Sequence, residues 1–219
     1  QPFNALSLFT SMLKKKVKDE ELALLANHID DSLTVVEALL SDLVEISRLD
    51  NSSENVEQAP FAIQELLTPL QNEFTLLSQQ DDIIFHYQKS SCWVNSDKRM
   101  LRRILQNFLS NAVHYCRDKT GEKSAISSKI LLGVRHCQNN IRIEVWDNGP
   151  GIPQEKQQTI FHEFERLEQN REIPGLGLGL AIADRMSSLL GLTISVNSTV
   201  GKGTGFMIEV PRVQPLPAT

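Results

Sequence analysis

Four polar side chains fall on one side of a segment that has a helical pattern. In "QNFLSNAVHY" they are Asn107, Asn111, His114 and Tyr115, at positions i, i+4, i+7 and i+8, which share one side of an α-helix. Amide oxygens suit Mg²⁺, because this ion needs only one or two protein ligands when phosphates supply the rest. His114 is placed to reach a phosphate and Tyr115 to stack on a base. Taken alone, the pattern is more typical of two solvated asparagines.

Two glycine-rich turns carry a carboxylate and a hydroxyl. "WDNGPGIP" places Asp147 at the end of a predicted strand, followed by Gly149 and Gly151, and glycine allows the backbone to approach a ligand closely. A carboxylate in this place can accept a hydrogen bond from an exocyclic amine and so recognise adenine. "GKGTGF" supplies Gly203 and Thr204 at a predicted hairpin. Ordinary turns are the alternative for both stretches.

A third glycine-rich stretch, "PGLGLGLAIA", precedes and begins a predicted helix. Gly175, Gly177 and Gly179 alternate with leucines, so backbone N–H groups at the start of the helix are available to phosphate oxygens. The spacing differs from the dinucleotide-binding fingerprint, which needs a glycine where Leu180 stands, and the sequence contains no GxxxxGK[ST] loop. The stretch therefore predicts a phosphate site of another kind.

The composition fits a globular protein without a broad nucleic-acid surface. The chain has 219 residues, of which 41% are hydrophobic and 22% charged, and a net charge of −5, so one large domain or two small ones are expected. Basic pairs such as Arg102 and Arg103 are interpreted as solvated helix faces. The three cysteines and five histidines have no zinc-binding or HExxH spacing, which indicates reduced thiols and no metal site built from histidines.

Membrane signals are absent from the sequence. No apolar run approaches the roughly 20 residues that a membrane span needs, and no signal-peptide pattern opens the chain. We therefore expect this stretch of protein to be soluble and without membrane contact, whether or not a longer parent chain is membrane-anchored. The reduced thiols indicate a cytoplasmic location.

Residues 1–50 have a helical pattern with an apolar repeat of seven. The apolar stripe consists of Leu22, Leu25, Ile29, Leu33, Val36, Leu40 and Leu43. A break near "KVKDEE" divides the segment into two helices, which predicts an antiparallel helical hairpin. Because two helices cannot bury so long a stripe alone, we expect two copies to pair into a four-helix bundle. The alternative is a long helix packed on its own domain.

The remaining sequence predicts an α/β domain. A polar linker at 51–60 precedes a domain at 61–212, and an exit linker follows at 213–219. Periodicity predicts helices at 61–80, around 101–112 and at 178–190, and strands at 82–88, 129–136, 141–147, 192–198 and 205–211. The predicted fold class is therefore α+β, in which the helical hairpin is followed by an α/β two-layer sandwich with a mixed sheet.

Taken in order, these motifs resemble those of the sensor histidine kinases of two-component signalling, whose ATP-binding domain belongs to the gyrase and MutL superfamily. "LRRILQNFLSNAVHY" resembles the asparagine box of that family, and "IFHEF" resembles its phenylalanine box. "DNGPGIP", "GLGLGLAI" and "GKGTGF" resemble its three glycine boxes. The resemblance covers nearly the whole chain and implies a protein-histidine kinase that binds ATP and Mg²⁺.

The resemblance also implies roles for individual residues. Asn111 would hold Mg²⁺, and Asp147 would bind the adenine amine. Asn107 and Arg166 would be catalytic, with Arg166 reaching toward the γ-phosphate. The implied nucleotide-binding residues, of which Tyr115 and Ile152 lie along the base, are Asn107, Asn111, His114, Tyr115, Asp147, Gly149, Gly151, Ile152, Gly175, Leu176, Gly177, Leu178, Gly179, Leu180 and Thr204. The segment 153–174 would be a mobile lid.

Three positions bear on which chemistry this family member performs. His114 stands where lysine is usual, which makes that phosphate contact weaker and pH-dependent, and Leu176 replaces a commoner small hydroxyl residue. Hydrolases such as gyrase and MutL place a water-activating glutamate where Asn107 stands. An amide cannot accept a proton from water, so Asn107 favours phosphoryl transfer over hydrolysis. A non-catalytic scaffold is the third alternative, which the intact glycine boxes disfavour.

For the N-terminal segment, the resemblance implies a dimerisation and phosphotransfer hairpin. The expected partners are a second copy of the chain and a response-regulator receiver domain, whose aspartate would receive the phosphoryl group from histidine. In this family the phosphoacceptor histidine precedes a Gln-Pro or Thr-Pro pair, and "QPFNAL" resembles the stretch that begins with this pair, which places the histidine four residues upstream of Gln1. We therefore expect this fragment to lack its acceptor. His28, in "ANHIDD", has no following proline and is a poor substitute.

Overall fold

A computed structural model describes residues 20–50, 56–117, 127–166 and 177–215, together with Thr10 and Met12, which are helical. The helices are α1 (Glu20–Asp50), α2 (Ile63–Gln80), α3 (Lys98–Arg117) and α4 (Gly179–Leu190). The strands are β1 (Ala59–Ala62), β2 (Ile84–Tyr87), β3 (Trp93–Ser96), β4 (Lys129–Cys137), β5 (Asn140–Asp147), β6 (Thr193–Thr199) and β7 (Gly203–Val213). Two short 3₁₀ turns, Gln154–Lys156 and Thr159–Phe161, follow β5.

The seven strands form one mixed sheet in the order β1-β3-β7-β5-β4-β2, with β6 also paired to β7. The long strand β7 pairs with β5 along one edge, while its other edge pairs with β6 near Gly203 and with β3 near Val213. Only the pairing of β2 with β4 is parallel among these strands. The predicted α+β class with a mixed sheet is confirmed.

The core lies between the sheet and the helices α2, α3 and α4. The predicted stripe of α3 is buried in it, and its members are Leu101, Ile104, Leu105, Phe108 and Ala112. Inward residues of β5 and β7, such as Ile143 and Ile208, are fully buried in the same core. The ring of Phe108 stacks on that of Phe206 with centroids 5.2 Å apart. This packing fixes the rotation of α3 about its axis.

Two short strands differ from the secondary structure predicted from the sequence. Phe61 and Ala62 were expected in a helix, but they belong to β1, and α2 begins at Ile63, whose N–H donates to the carbonyl of Cys92 over 2.9 Å. Strand β3 was not predicted at all. Each of these strands has four residues, too few to show a period, and their stability comes from long-range pairing rather than local propensity.

The apolar stripe of α1 is exposed to solvent, whereas the C-terminal end of the helix packs in the core. The exposed members of the stripe, between 37% and 55% exposed, are Leu22, Leu25, Ile29, Val36, Leu40 and Leu43. Leu49, near the end of α1, is only 2% exposed and belongs to the core of the α/β domain. The first helix of the predicted hairpin falls mostly outside the described residues, so the hairpin and the domain limits stay predictions.

Candidate functional site

A cavity of about 440 Å³ opens beside α3, the end of β5 and the beginning of α4. Most of the site residues predicted from the sequence line it. They are Asn107, Asn111, His114, Tyr115, Asp147, Gly151, Ile152, Arg166, Gly177, Leu178, Gly179, Leu180 and Thr204. Gly149 lies directly beside this wall, because its N–H donates to Asp147 Oδ1 over 2.7 Å. Gly175 and Leu176 lie outside the described residues.

Helix α3 supplies the polar wall of the cavity. Asn107 is 9% exposed, and its Nδ2 has no hydrogen-bond partner among the described residues. A buried amide donor without a partner is costly, so this position suits a ligand that accepts a hydrogen bond, such as a phosphate oxygen. Two turns further along, the rings of His114 and Tyr115 meet edge to face with centroids 5.5 Å apart.

Asp147 is fixed at the end of β5 by the backbone of two turns. Its Oδ1 accepts hydrogen bonds from the N–H of Gly149 at 2.7 Å and from the N–H of Thr204 at 3.3 Å. Ser198 links the same turns, because its Oγ accepts from the N–H of Ile152 and donates to the carbonyl of Gly203. The carboxylate is therefore held in one place at the edge of the cavity before any ligand binds.

Close backbone contacts explain two glycines of these turns. A Cβ on Gly203, whose φ is +123°, would lie 2.0 Å from the carbonyl oxygen of Asp147. A Cβ on Gly151, whose φ is +77°, would lie 2.2 Å from the carbonyl oxygen of Thr199. No other residue type fits such a position without moving the backbone.

The start of α4 lies next to α3 and to Glu165, a residue of the predicted lid. A Cβ on Gly179 would lie 3.4 Å from Asn107 Oδ1, and one on Gly177 would lie 2.6 Å from the carbonyl oxygen of Glu165. The N-terminal N–H groups of α4 therefore lie close to the unpartnered amide of Asn107. A helix N-terminus carries a partial positive charge that favours anions. The arrangement suits a phosphate group between the two helices.

Several residues of the cavity wall were not predicted from the sequence. They are Ala38, Ser41 and Asp42 of α1, together with Arg103, Ser110, Pro150, Ile160, Glu165 and Phe206. Arg103 had a signal, since it precedes Asn107 by one helical turn, but it was interpreted as part of a solvated face. No pattern in the sequence indicates that α1 reaches this cavity.

Two acids of the wall have neighbouring cations. Burial raises the pKa of Asp42, against the opposing effect of Arg103. The ammonium of Lys156, 2.8 Å from Glu165, lowers the pKa of the Glu165 carboxyl through a hydrogen bond. The described residues contain no group of three or more His, Cys, Asp or Glu side chains that could hold a metal ion.

Comparison with known proteins identifies the family. The family model described as "Histidine kinase-, DNA gyrase B-, and HSP90-like ATPase" matches residues 96–214. The chain belongs to this family. The match begins at the end of β3 and includes all the predicted site residues. This match, together with relatives that are themselves sensor kinases, confirms the expected resemblance to the ATP-binding domain of sensor histidine kinases.

Two relatives with similar sequences are sensor kinases. The autoinducer 2 sensor kinase/phosphatase LuxQ of Vibrio vulnificus is 26% identical over 215 residues, which cover 96% of this chain and 25% of LuxQ. The chain thus spans about a quarter of that relative's length. The adaptive-response sensory kinase SasA of a Synechocystis strain is 29% identical over 182 residues, which cover 81% of this chain and 45% of SasA.

Among solved structures, full-length ShkA in complex with AMPPNP has a TM-score of 0.77 and 24% identity, covering 98% of this chain and 44% of that one. At this identity the likeness shows the fold alone.

Among the described residues, no helix is long and apolar enough to cross a membrane.

The turn that fixes Asp147 gives a prediction. Replacing Gly203 by alanine should displace the Asp147 carbonyl, because the new Cβ would lie 2.0 Å from it, and binding of an ATP analogue measured by calorimetry should be lost. Gly201→Ala is the control, since its φ is also positive but nothing lies within 4 Å. That variant should cost about 1 kcal/mol of unfolding free energy and keep binding. Equal binding by both variants would contradict the proposed geometry.

Proposed function

We propose that this chain binds ATP with Mg²⁺ and forms the catalytic part of a protein-histidine kinase, which transfers the γ-phosphoryl group to a histidine and then to a response-regulator aspartate. The observation that carries the proposal is the convergence of the Asp147 carboxylate with the amides of Asn107 and Asn111 on one cavity. Membership of the ATPase family and the similarity to LuxQ and SasA support it.

Adenine would bind at the Asp147 end of the cavity. The carboxylate is held by two backbone N–H groups, so it can accept a hydrogen bond from the exocyclic amine of the base with little loss of side-chain entropy. Ile152, 8% exposed, offers an apolar surface to one face of the ring, and Tyr115 lies at the same wall. Guanine presents a carbonyl in place of that amine, which a carboxylate repels.

The phosphates would lie between α3 and the start of α4. Asn107 Nδ2 and the N–H groups from Gly177 to Leu180 are donors for phosphate oxygens, and Arg166, which also lines the cavity, would approach the γ-phosphate. The donor set fits Mg²⁺, since an amide oxygen from Asn111 and phosphate oxygens are the hard ligands that it prefers. When bound, the ion would neutralise charge on the phosphates.

The alternative function is ATP hydrolysis of the gyrase or MutL type. It requires a base that removes a proton from water. At the position where those relatives place glutamate, the cavity presents the amide of Asn107. Phosphoryl transfer to an imidazole depends instead on positioning and charge stabilisation, which Asn107 and Arg166 can supply without accepting a proton.

The proposed partners are a second copy of the chain and a receiver domain. The exposed apolar stripe of α1 supports dimerisation, because an apolar face of this length is buried in helical bundles. A solved complex of histidine kinase ThkA with the response regulator TrrA has a TM-score of 0.68 and 21% identity, covering 97% of this chain and 58% of that one. By analogy, a receiver domain would dock on this protein.

Nucleotide recognition is tested with Asp147→Asn. The asparagine oxygen can still accept from Gly149 and Thr204, so the fold should persist, while loss of a charge-assisted hydrogen bond to adenine of about 1.5–3 kcal/mol should weaken ATP binding more than tenfold. Calorimetry with and without Mg²⁺ measures this, and wild-type binding should require the ion. Asp184→Asn, at an exposed position on α4, is the control. Unchanged ATP affinity in Asp147→Asn would refute the assigned adenine site.

The choice between kinase and hydrolase is tested with Asn107→Asp. A carboxylate at this position can act as a general base, which contributes roughly 10²–10⁴-fold to rates, so release of inorganic phosphate from ATP should rise at least tenfold over a slow wild-type rate. Ser110→Asp adds the same charge to the cavity wall at an exposed position and should not raise it. Rapid phosphate release by the wild type would favour the hydrolase instead.

Dimerisation through α1 is tested with Val36→Lys combined with Leu40→Lys. Two charges in the apolar stripe should convert a dimer into a monomer, measured by sedimentation velocity, because burying unpaired ammonium groups is costly. Asn27→Lys, exposed and outside the stripe, should leave the dimer intact. If the wild type is itself monomeric at micromolar concentration, the stripe has another role.

A further inference from the structure

The guanidinium of Arg103 joins α3 to α1. Its Nη2 donates to Asp42 Oδ1 and its Nε to Glu45 Oε2, each over 2.8 Å. The three side chains are between 23% and 32% exposed, so the cluster is half-buried. Charge-assisted hydrogen bonds of this length are among the stronger ones in proteins, and at this exposure the cluster is accessible to solvent and ions.

The same cluster forms part of the cavity wall. Arg103 and Asp42 both line the cavity, beside Ala38 and Ser41 of α1. On α3, Arg103 stands one turn before Asn107 and two turns before Asn111, so all three lie along one side of the helix. A ligand on the amides of Asn107 and Asn111 would therefore lie close to the guanidinium and to the carboxylates that hold it.

The charges of the cluster conflict with an anionic ligand. The cluster contains two carboxylates and one guanidinium, so it carries a net negative charge. Burial already raises the pKa of Asp42, so its charged form is disfavoured before a ligand arrives. A polyphosphate would repel Asp42 and Glu45 and attract Arg103, whose planar group binds phosphate oxygens in the same bidentate manner as carboxylates.

Resting on the proposed ATP site, we propose that Arg103 exchanges its α1 carboxylates for the phosphates of the nucleotide, so that nucleotide binding releases the middle of α1 from the ATP-binding domain. Arg103 is then a phosphate-binding residue, and Asp42 and Glu45 are its competitors. The end of α1 stays attached, because Leu49 is 2% exposed in the core. The motion is therefore a pivot of α1 about its C-terminal end.

A neighbouring ion pair provides a matched control. Arg102, the adjacent residue of α3, donates to Glu73 of α2 over 3.0 Å, with side-chain exposures of 38% and 39%. This pair lies within the α/β domain and does not line the cavity. A purely structural role for Arg103 would make its loss resemble the loss of Arg102, with a small effect on stability and none on nucleotide affinity.

The test measures AMPPNP affinity by calorimetry with Mg²⁺ in three variants. Asp42→Asn combined with Glu45→Gln removes the competing charges and should tighten binding about tenfold. Arg103→Gln removes the phosphate contact and should weaken binding about tenfold. Glu73→Gln should match the wild type. Opposite signs for the acidic and the basic variant show that these charges act on the bound nucleotide, because a purely structural ion pair would move both in one direction. Exchange itself requires that α1 also moves when nucleotide binds.

The position of α1 is measured in the same proteins by electron–electron resonance between spin labels at Asn27→Cys and Ser188→Cys. Both positions are exposed, and Cys137→Ser removes the cysteine that is not buried. AMPPNP should lengthen the label distance in the wild type, whereas Asp42→Asn with Glu45→Gln should show the longer distance without nucleotide. Glu73→Gln should behave as the wild type does.

The outcomes separate this inference from the proposed function. If the wild type binds AMPPNP but the acidic and basic variants shift affinity in the same direction, or not at all, the exchange is wrong and the nucleotide site stands. An unchanged label distance with bound nucleotide also overturns it. If the wild type binds neither ATP nor AMPPNP, both the proposed function and the exchange are wrong.

Discussion

The packing of α3 on the sheet is the constraint on which the site depends. Leu101, Leu105 and Phe108 are fully buried, and the stacking of Phe108 on Phe206 leaves the helix no freedom to rotate. A rotation by one residue, about 100°, would bury the amide of Asn107 in the core or expose Phe108 to water. Hydrophobic packing therefore orients the polar side of α3 toward the cavity. Core side chains that take no part in the reaction thus determine where the reaction can occur.

A second constraint is the close approach of main chain to main chain around Asp147. The turn at Gly203 lies so near the Asp147 carbonyl that a Cβ cannot fit, and this approach brings the N–H of Thr204 to the carboxylate. Ser198 links the other glycine-rich turn to it through Ile152. The glycines here provide room for backbone rather than mobility. As a result the carboxylate is oriented by main-chain groups, which keep their positions when surface side chains vary.

The parts of the fold that could be predicted from the sequence are those in which a regular apolar pattern within a short stretch marks the residues that are buried in the structure. The stripe of α3 repeats at helical spacing, and β5 alternates apolar and charged residues from Ile141 to Val145, so both were predicted from short windows. Strands β1 and β3 could not be, because Ala59 pairs with Ser96, which follows α2 and β2 in the chain. For the same reason the ion pair of Arg103 could not be predicted. Its helical spacing was visible in the sequence, but its partner Asp42 lies 61 positions away. Contacts that depend on the overall topology cannot be predicted from a short stretch of sequence.

The α/β domain alone does not complete the wall of its own cavity, since Ala38, Ser41 and Asp42 come from α1. Any ligand that binds there with different affinity in the docked and released positions of α1 must shift the balance between those positions by the same free energy. The half-buried state of the Arg103 cluster makes such a balance physically reasonable. A fully exposed pair would contribute too little to hold the helix, and a fully buried one would leave uncompensated charge when it opened. At intermediate burial, one set of charge-assisted hydrogen bonds replaces another of similar strength, so a modest difference in charge is enough to choose between them.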